Sequence, residues 1–247
     1  MKQDDAWKRY AAAEDGAVRK HARGKIRIAL AYPNRYAVGM SNLGLHAVYG
    51  LLNQHDDVVC ERVFLPENDD FDIGRLATFE SGLPVAAVDL IAFSISFESD
   101  YSNLLTLLKL AGIPPQAADR DERHPLVVAG GVACFLNPEP IAAFVDCFLI
   151  GEAEVILPEF LRVFQPNAER RPLLKAIARS VPGAYVPRFY AAHYAADGTL
   201  SAWLPTEDVP PRIVRPHVED LSATATCSTV FSPHTALGGS FLVEVGR

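Results

Sequence analysis

Polar residues and glycines gather in four loops, and each loop follows an apolar run of the sequence. The loops read NRYAVGMSNLG (34–44), SISFESDYSN (94–103), GGVACFLNPEP (130–140) and GEAE (151–154). Glycines let a ligand approach the backbone closely, while hydroxyl groups and backbone N–H groups at a helix start can donate hydrogen bonds to it. The carboxylates of these loops are not placed as an acid/base pair. The pattern therefore predicts a binding site rather than a site of acid–base catalysis.

The candidate binding residues come from all four loops. They are Asn34, Arg35, Tyr36, Gly39, Met40, Ser41, Asn42 and Gly44 in the first; Ser94, Ser96 and Glu98 in the second; Gly130, Gly131, Val132, Asn137 and Glu139 in the third; and Gly151 and Glu152 in the fourth. Structural roles remain open for some of them. Gly130-Gly131 can serve the tight packing of the next helix, and the glutamates can be helix-cap partners or surface groups.

The elements that position these loops alternate between strands and helices. Strands are predicted at 25–32, 58–66, 90–97, 125–135 and 147–154, with helices at 43–52, 71–80, 101–111 and 155–164. Pro33 is expected to close the first strand, Ser41 or Asn42 to cap the helix at 43–52, and Asp100 to cap the helix that follows it. Repeating units of about thirty residues predict an α/β fold, a Rossmann-like doubly wound parallel sheet of about five strands. Since right-handed crossovers place the carboxyl ends of all parallel strands at one edge, the loops are expected to be neighbours.

The rest of the chain divides into three parts. Residues 1–24 are predicted to form an N-terminal arm, helical or loose, that packs through Trp7 and Tyr10, and residues 25–165 form the α/β domain. Residues 166–240 are predicted to hold a helix, a β-hairpin turning at Asp197-Gly198 and an extended linker. Residues 241–247 resemble the start of another strand.

Composition restricts the class of protein. The 247 residues are 49% hydrophobic and carry a formal net charge of −7, which excludes global disorder and argues against a dedicated nucleic-acid-binding module. The four cysteines lack a CxxC pair, so their spacing shows neither a disulfide framework nor a complete metal site. No apolar run spans a bilayer and no signal peptide is evident, so a cytoplasmic location without a membrane partner is expected.

Taken together, these motifs resemble the cobalamin-binding, Rossmann-like domain at the N-terminus of radical S-adenosylmethionine (SAM) proteins. In that group a GG…PE turn follows the fourth strand and a GE-x-E turn follows the fifth. The similarity is greater still to one uncharacterised subfamily, through YPNRYAVGMSNLGLHAVYGLLN, VCERVFLP, IAFSISFESDY, VVAGGVACFLNPEPIA and LIGEAE. It covers nearly all of residues 20–247.

The resemblance implies cobalamin as a possible cofactor of this chain. Gly130-Gly131 would then line a slot for the nucleotide tail, with Tyr36, Met40 and Phe135 covering the corrin ring. A bulky residue at Gly131 is expected to fill the slot without disturbing the fold. The loop NRYAVG lacks the histidine that binds cobalt in the DxHxxG motif of cobalamin mutases, and His46 is expected to be a packed or surface residue.

The resemblance also implies that catalysis lies outside this chain. In the subfamily, a strand similar to FLVEVGR leads into the CxxxCxxC cysteines that hold a 4Fe–4S cluster, and that motif does not occur here. The chain is expected to end before the cluster loop, to bind no cluster by itself, and to contact the radical SAM barrel of the same polypeptide. The intact protein would bind SAM and the cluster, and would cleave SAM to a 5′-deoxyadenosyl radical for methyl transfer or other radical chemistry on an unknown substrate.

Two alternatives accompany this interpretation. The domain can instead be a degenerate Rossmann-like module that has lost cobalamin and serves as a structural or partner-docking unit. The basic segment with Arg170, Arg171, Lys175 and Arg179 is interpreted as a solvated helix face, with RNA as a partner that the sequence does not exclude.

Overall fold

The computed structural model describes residues 3–67, 72–221 and 226–246. The helices are α1 (Gln3–Ala12), α2 (Tyr36–Gly39), α3 (Leu43–Gln54), α4 (Tyr101–Leu110), α5 (Val132–Leu136), α6 (Ala153–Val163) and α7 (Arg170–Ser180). The strands are β1 (Ile26–Arg35), β2 (Val58–Leu65), β3 (Leu90–Ser94), β4 (Leu126–Gly130), β5 (Cys147–Leu149), β6 (Ala184–Tyr185), β7 (Tyr190–Tyr194) and β8 (Leu200–Pro205). Short 3₁₀ helices occupy Val85–Ala87, Glu98–Asp100, Ala117–Asp119, Glu139–Phe144 and Pro187–Phe189.

The central sheet has the strand order β2-β1-β3-β4-β5-β6. Its first five strands run parallel, and β6 pairs antiparallel with β5 at the edge. Helices flank this sheet, which confirms the Rossmann-like α/β fold. The chain leaves β1 toward β2 and then returns to β3 on the other side of β1. Open α/β sheets bind their ligands at such a switch point, in the crevice at the carboxyl ends of the strands.

The central strand β1 lies in the hydrophobic core, as its apolar sequence predicts. Ile28, Leu30 and Tyr32 are each 1% exposed, because β2 and β3 cover both edges of β1 and its faces are packed. The strand continues beyond its predicted end at Pro33, since β1 runs on through the half-buried Asn34 to the exposed Arg35 and is followed directly by α2. The prediction that Pro33 closes the strand was therefore wrong.

Other predicted boundaries need correction as well. Among the described residues of 71–80, where a helix was predicted, the chain forms turns and an isolated bridge between Ala77 and Pro84; Phe71 lies outside the described residues. The fourth strand ends at Gly130, and α5 takes the residues predicted to continue it. The third strand also ends early, at Ser94. Asp100 makes no side-chain cap to α4 and instead accepts a hydrogen bond from Asn34 Nδ2 (3.0 Å).

The N-terminal arm packs on the α/β domain through the two aromatic residues predicted for this role. The ring of Tyr10 stacks on Tyr36 with centroids 4.5 Å apart, and Trp7 lies 5.9 Å from Phe79. Residues 226–236, which we call the strap, pack beside the arm. Asp15 and Phe231 form an antiparallel bridge with N···O distances of 3.0 and 2.8 Å. The two segments therefore cover the same part of the domain.

The strap begins beside the last described residues. Ser228 N donates to Leu242 O (2.9 Å) and Glu244 N donates to Thr226 O (2.9 Å), so residues 226–228 and 242–244 form a short antiparallel ladder. Among the described residues of 241–247, where the start of a strand was predicted, the chain forms one isolated bridge, which joins Val243 to Cys227. Earlier in the chain, β7 and β8 form the predicted hairpin around Asp197-Gly198.

Candidate functional site

An apolar cleft of about 480 Å³ opens at the carboxyl edge of the parallel sheet. Its volume lies within the range of about 300–1,000 Å³ that is typical of small-molecule sites. The strand ends form its floor and helices α3, α5 and α6 form its walls. Its apolar lining comprises Leu30, Leu43, Ala47, Val48, Ala92, Phe93, Val128, Val132, Phe135, Leu149, Ala153, Ile156 and Leu157. The cleft is the place where the Rossmann-like topology leads one to expect a ligand.

Seven of the candidate residues line this cleft. They are Gly44, Ser94, Gly130, Gly131, Val132, Gly151 and Glu152, and they come from all four loops. The expectation that the loops are neighbours is confirmed, because β1, β3 and β4 are adjacent and parallel. The roles of these seven residues in binding stay predictions.

Gly131 has a structural reason to be glycine. Its φ is +103°, and a Cβ added there would lie 2.3 Å from Ile95 O and 2.9 Å from Ile95 N. A side chain at residue 131 would force the β4–α5 turn away from the end of β3, with backbone strain added to the clash. The expectation that a bulky residue at Gly131 fills the slot with the fold intact was wrong.

Asn42 and Ser96 join the first two loops beside the cleft. Asn42 Oδ1 accepts a hydrogen bond from Leu45 N (3.0 Å) and thereby caps α3, as predicted. Its Nδ2 donates to Ser96 Oγ (2.9 Å). Both side chains therefore fix the loops at the switch point between β1 and β3, and neither is among the residues that line the cleft.

The remaining first-loop candidates lie in packing contacts away from the cleft. Tyr36 is fully buried and Met40 is 2% exposed, so neither side chain is available to cover a ring in this structure. Gly39 packs against the Phe64 ring, which lies 2.5 Å from the position of an added Cβ. Ser41 Oγ donates to Ala37 O (2.8 Å) and accepts from Ala236 N (2.9 Å).

Candidates at the rim of the carboxyl edge are polar and partly exposed. Asn34 donates to Asp100, and Arg35 lies 3.9 Å from Glu67. Glu98, Asn137 and Glu139 are exposed, and none is among the residues lining the cleft. Glu139 Oε1 accepts a hydrogen bond from Tyr185 OH (2.6 Å) and Asn137 Oδ1 accepts from Glu139 N (3.1 Å), contacts that shape the β4–β5 connection.

The charged and hydroxyl side chains of Glu152, Glu154, Arg215, Thr226 and Glu244 form what we call the mouth of the cleft. Three of these residues come from far along the chain and were not predicted. Arg215, Thr226 and Glu244 line the cleft together with Glu152 and Glu154. Arg215 and Thr226 belong to a segment without periodicity that was interpreted as a linker, and Glu244 lies in residues 241–247, which were interpreted as the start of a strand. Contacts of its neighbours with the β5–α6 loop bring Arg215 there: Glu152 N donates to Pro216 O (3.1 Å) and Val218 N donates to Glu152 Oε2 (2.5 Å).

His46 is a packed residue that fastens the strap to α3. Its Nε2 donates to Met40 O (3.0 Å), which leaves Nδ1 to accept from Val230 N (3.4 Å). The imidazole is 3% exposed, and burial lowers the pKa of His46. With both ring nitrogens engaged, His46 is not available to bind a metal in this structure.

Strap attachment is expected to depend on pH through His46. Because the pKa of His46 is lower in the folded state than the value of about 6.5 in an unfolded chain, the unfolded state takes up the proton first as the pH falls. The free energy of unfolding should therefore decrease below about pH 6.5. Urea unfolding at pH 7.5 and 5.5 should show a smaller decrease for His46→Gln than for the unmodified chain, whereas His21→Gln, at an exposed position, should behave like the unmodified chain. An equal pH dependence in all three proteins would contradict this assignment.

The cysteines are separate from one another in the part of the chain that the structure describes. Cys60, Cys134 and Cys147 are buried and Cys227 is partly exposed. Burial raises the pKa of Cys134 to about 12 and raises that of Cys60 and Cys147 as well. Within the described residues, no three His, Cys, Asp or Glu side chains gather in an arrangement that could hold a metal ion.

The basic segment on α7 agrees only in part with the predicted solvated helix face. Arg171 and Lys175 pair with Glu207, and Arg179 pairs with Asp208. Arg170 differs from the prediction, because it is 6% exposed and pairs with the buried Asp146 at 3.0 Å. Carboxylates thus accompany all four cations of this segment.

Comparison with known protein families identifies the class of protein to which this chain belongs. Residues 44–187, more than half of the chain, match the family described as radical SAM proteins, N-terminal. The chain belongs to this family, as an N-terminal module of a radical SAM protein. The matched stretch contains α5, α6 and all of α3 except Leu43, the helices that form the cleft walls.

An archaeal protein shares part of this sequence. An uncharacterized protein of Methanocaldococcus jannaschii is 31% identical over 129 residues, which cover 51% of this chain and 24% of that protein. The chain thus matches about a quarter of the length of this relative. No solved structure gives a significant match. In the described part of the chain, no helix combines the length and the apolar character needed to cross a membrane.

Proposed function

We propose that this chain is the cobalamin-binding-type module of a radical SAM enzyme, with the tail of the cofactor in the apolar cleft. The observation that carries the proposal is the cleft itself, which lies at the carboxyl edge of a Rossmann-like sheet and is lined from all four loops. A flat, apolar nucleotide base suits a slot whose floor includes Leu30, Phe93 and Val128. When bound, cobalamin supplies a cobalt centre that can carry a methyl group.

This chain's own residues would hold the tail and exclude water from it. Gly130 has no side chain, so the backbone at the end of β4 is accessible to a ligand, and Ser94 at the end of β3 has a hydroxyl group that can hydrogen-bond to it. Since both ring nitrogens of His46 are engaged, we propose binding without a protein imidazole on cobalt. Reductive cleavage of SAM, the 4Fe–4S cluster and the substrate belong, in this proposal, to a catalytic barrel of the whole protein.

A second candidate function is a structural or partner-docking module without cobalamin. The burial of Tyr36 and Met40 favours it, because these first-loop side chains serve packing. Under this alternative the cleft is a site for a partner's side chains.

Titration with methylcobalamin separates the two functions. We expect binding at modest affinity, seen by calorimetry and by the absorbance change that accompanies loss of the tail base from cobalt. Ala47→Phe should weaken binding by more than about tenfold, because the half-buried Ala47 lines the cleft and a phenyl ring there would occupy the slot.

Ala176→Phe is the matched control. Ala176 is exposed on α7 and is not among the cleft residues, so this variant carries the same change in side chain and helix propensity away from the site. It should bind like the unmodified chain. Absence of binding to the unmodified chain would favour the docking module, and binding that survives Ala47→Phe would show that the ligand lies elsewhere.

A further inference from the structure

The mouth of the cleft contains one cation among the described residues that line it. This cation is Arg215, and the other charged lining residues are Glu152, Glu154 and Glu244. A guanidinium group is a cation with five N–H donors and no acceptor. The mouth therefore combines one fixed positive charge with three carboxylates.

Two contacts hold Arg215 in place. Its Cζ lies 5.5 Å from the centroid of the Phe135 ring, a cation–π contact with a side chain that also lines the cleft. The next residue, Pro216, is anchored to the β5–α6 loop through its carbonyl, which accepts from Glu152 N (3.1 Å). Gly151 makes room for this anchor, since an added Cβ would lie 2.5 Å from Pro216 Cδ.

Arg215 is exposed, and its guanidinium group donates no hydrogen bond to any residue that the structure describes. In the part of the chain that the structure describes, no carboxylate lies within ion-pair distance of its guanidinium group, in contrast to Arg62, Arg120 and Arg170. A planar guanidinium group presents donors that match the oxygens of a phosphate. Its position, stacked at the rim of an apolar slot, suits a ligand whose anionic group stays at the mouth while its apolar part enters.

We propose that Arg215 is the specificity-determining residue of the cleft and binds the phosphodiester of a nucleotide tail. The proposal rests on the proposed function and adds the chemistry of the ligand. Among the described residues that line the cleft, Arg215 is the cation that can attract an anion to the mouth. With it, the cleft distinguishes a phosphate-bearing tail from an apolar group of similar shape.

The test compares Arg215→Met with Arg212→Met. Both substitutions remove one exposed cation, and Arg212 is not among the residues lining the cleft. A methionine side chain can still pack on Phe135, so the apolar part of that contact is retained. We expect Arg215→Met to weaken methylcobalamin binding about tenfold, and Arg212→Met to change it less than twofold.

Cobinamide, which lacks the nucleotide and its phosphate, identifies the group that Arg215 binds. Its affinity should be the same for Arg215→Met and the unmodified chain. Raising the NaCl concentration should weaken methylcobalamin binding to the unmodified chain and to Arg212→Met, and have little effect on Arg215→Met. The salt series gives the answer even if cobinamide binds too weakly to measure.

The outcomes separate the two proposals. Absence of methylcobalamin binding to the unmodified chain would overturn the proposed function, and this inference with it. Binding that Arg215→Met leaves within twofold would overturn the role of Arg215 alone. An equal loss for methylcobalamin and cobinamide, or an unchanged salt dependence, would show that Arg215 shapes the mouth without binding the phosphate.

Discussion

Replacing Arg62 with methionine is expected to lower the free energy of unfolding by about 3–5 kcal/mol. The Arg62 side chain is 1% exposed and pairs with Glu14 at 2.7 Å and with Glu80 at 2.7 Å, two carboxylates that are themselves buried. Removing the guanidinium group leaves both carboxylates in the interior without their cation. Burial already raises the pKa of Glu80 beside Arg62.

This network also joins the two ends of the chain. Glu14 belongs to the N-terminal arm, and the hydroxyl of Tyr36 hydrogen-bonds with both Glu14 Oε1 (2.7 Å) and Ser232 Oγ (2.8 Å) of the strap. We therefore expect Arg62→Met to expose the arm and the strap to limited proteolysis before the central sheet.

Chemical unfolding monitored by circular dichroism measures the effect. Arg162→Met is the matched control, since Arg162 and Glu159 form an exposed pair whose loss should change stability by less than about 1 kcal/mol. The deficit of Arg62→Met should shrink as the pH falls, because Glu80, whose pKa burial raises, can then bind a proton. A loss no larger than that of Arg162→Met would contradict the assignment.

Replacing Asp146 with asparagine is expected to cost about 3–5 kcal/mol as well. Asp146 is fully buried and lies within 3.3 Å of the guanidinium groups of Arg120, Arg170 and Arg188. Its Oδ2 also accepts from Val127 N (2.9 Å), which ties the cluster to β4. Burial lowers the pKa of Arg120, and the negative charge of Asp146 opposes that shift.

Two further variants test the electrostatic origin of this loss. Asp72→Asn removes an exposed partner of Arg75 and should have an effect below about 1 kcal/mol. Arg188→Met added to Asp146→Asn should restore part of the stability, because Arg188 is the most exposed of the three cations and its removal relieves repulsion. Asp146→Asn at unchanged stability, or no recovery in the double variant, would refute the explanation.

Local sequence patterns were sufficient for the parallel sheet. The apolar runs of β1, β3 and β4 report burial on both faces, and the Asp197-Gly198 turn reports the hairpin of β7 and β8. The helix cap was narrowed to Ser41 or Asn42, because capping preference is local, and the structure shows that Asn42 is the cap. The meeting of the loops at one edge followed from the handedness of crossovers, which needs no tertiary contact to be known.

Element boundaries depended on packing that no window of sequence contains. The strand β4 stops at Gly130 because Gly131 turns at positive φ against the backbone of Ile95, and α5 starts there. Asp100 has the residue type of a cap, yet its carboxylate accepts from Asn34, which is 66 residues away. In both cases a contact with a residue distant in sequence determined the local structure, and no local pattern contains that contact.

The sequence by itself determined the α/β class, the edge of the sheet at which a ligand would bind, and the loops that reach it. The tertiary structure decided which of their residues line the cleft: Gly130 does, whereas Tyr36 turns into the core to meet Ser232, 196 residues later. It also brought Arg215 to the mouth from a segment without periodicity. The physical reason is that secondary structure follows from interactions between near neighbours, whereas the lining of a cleft is set by contacts between residues far apart in the chain.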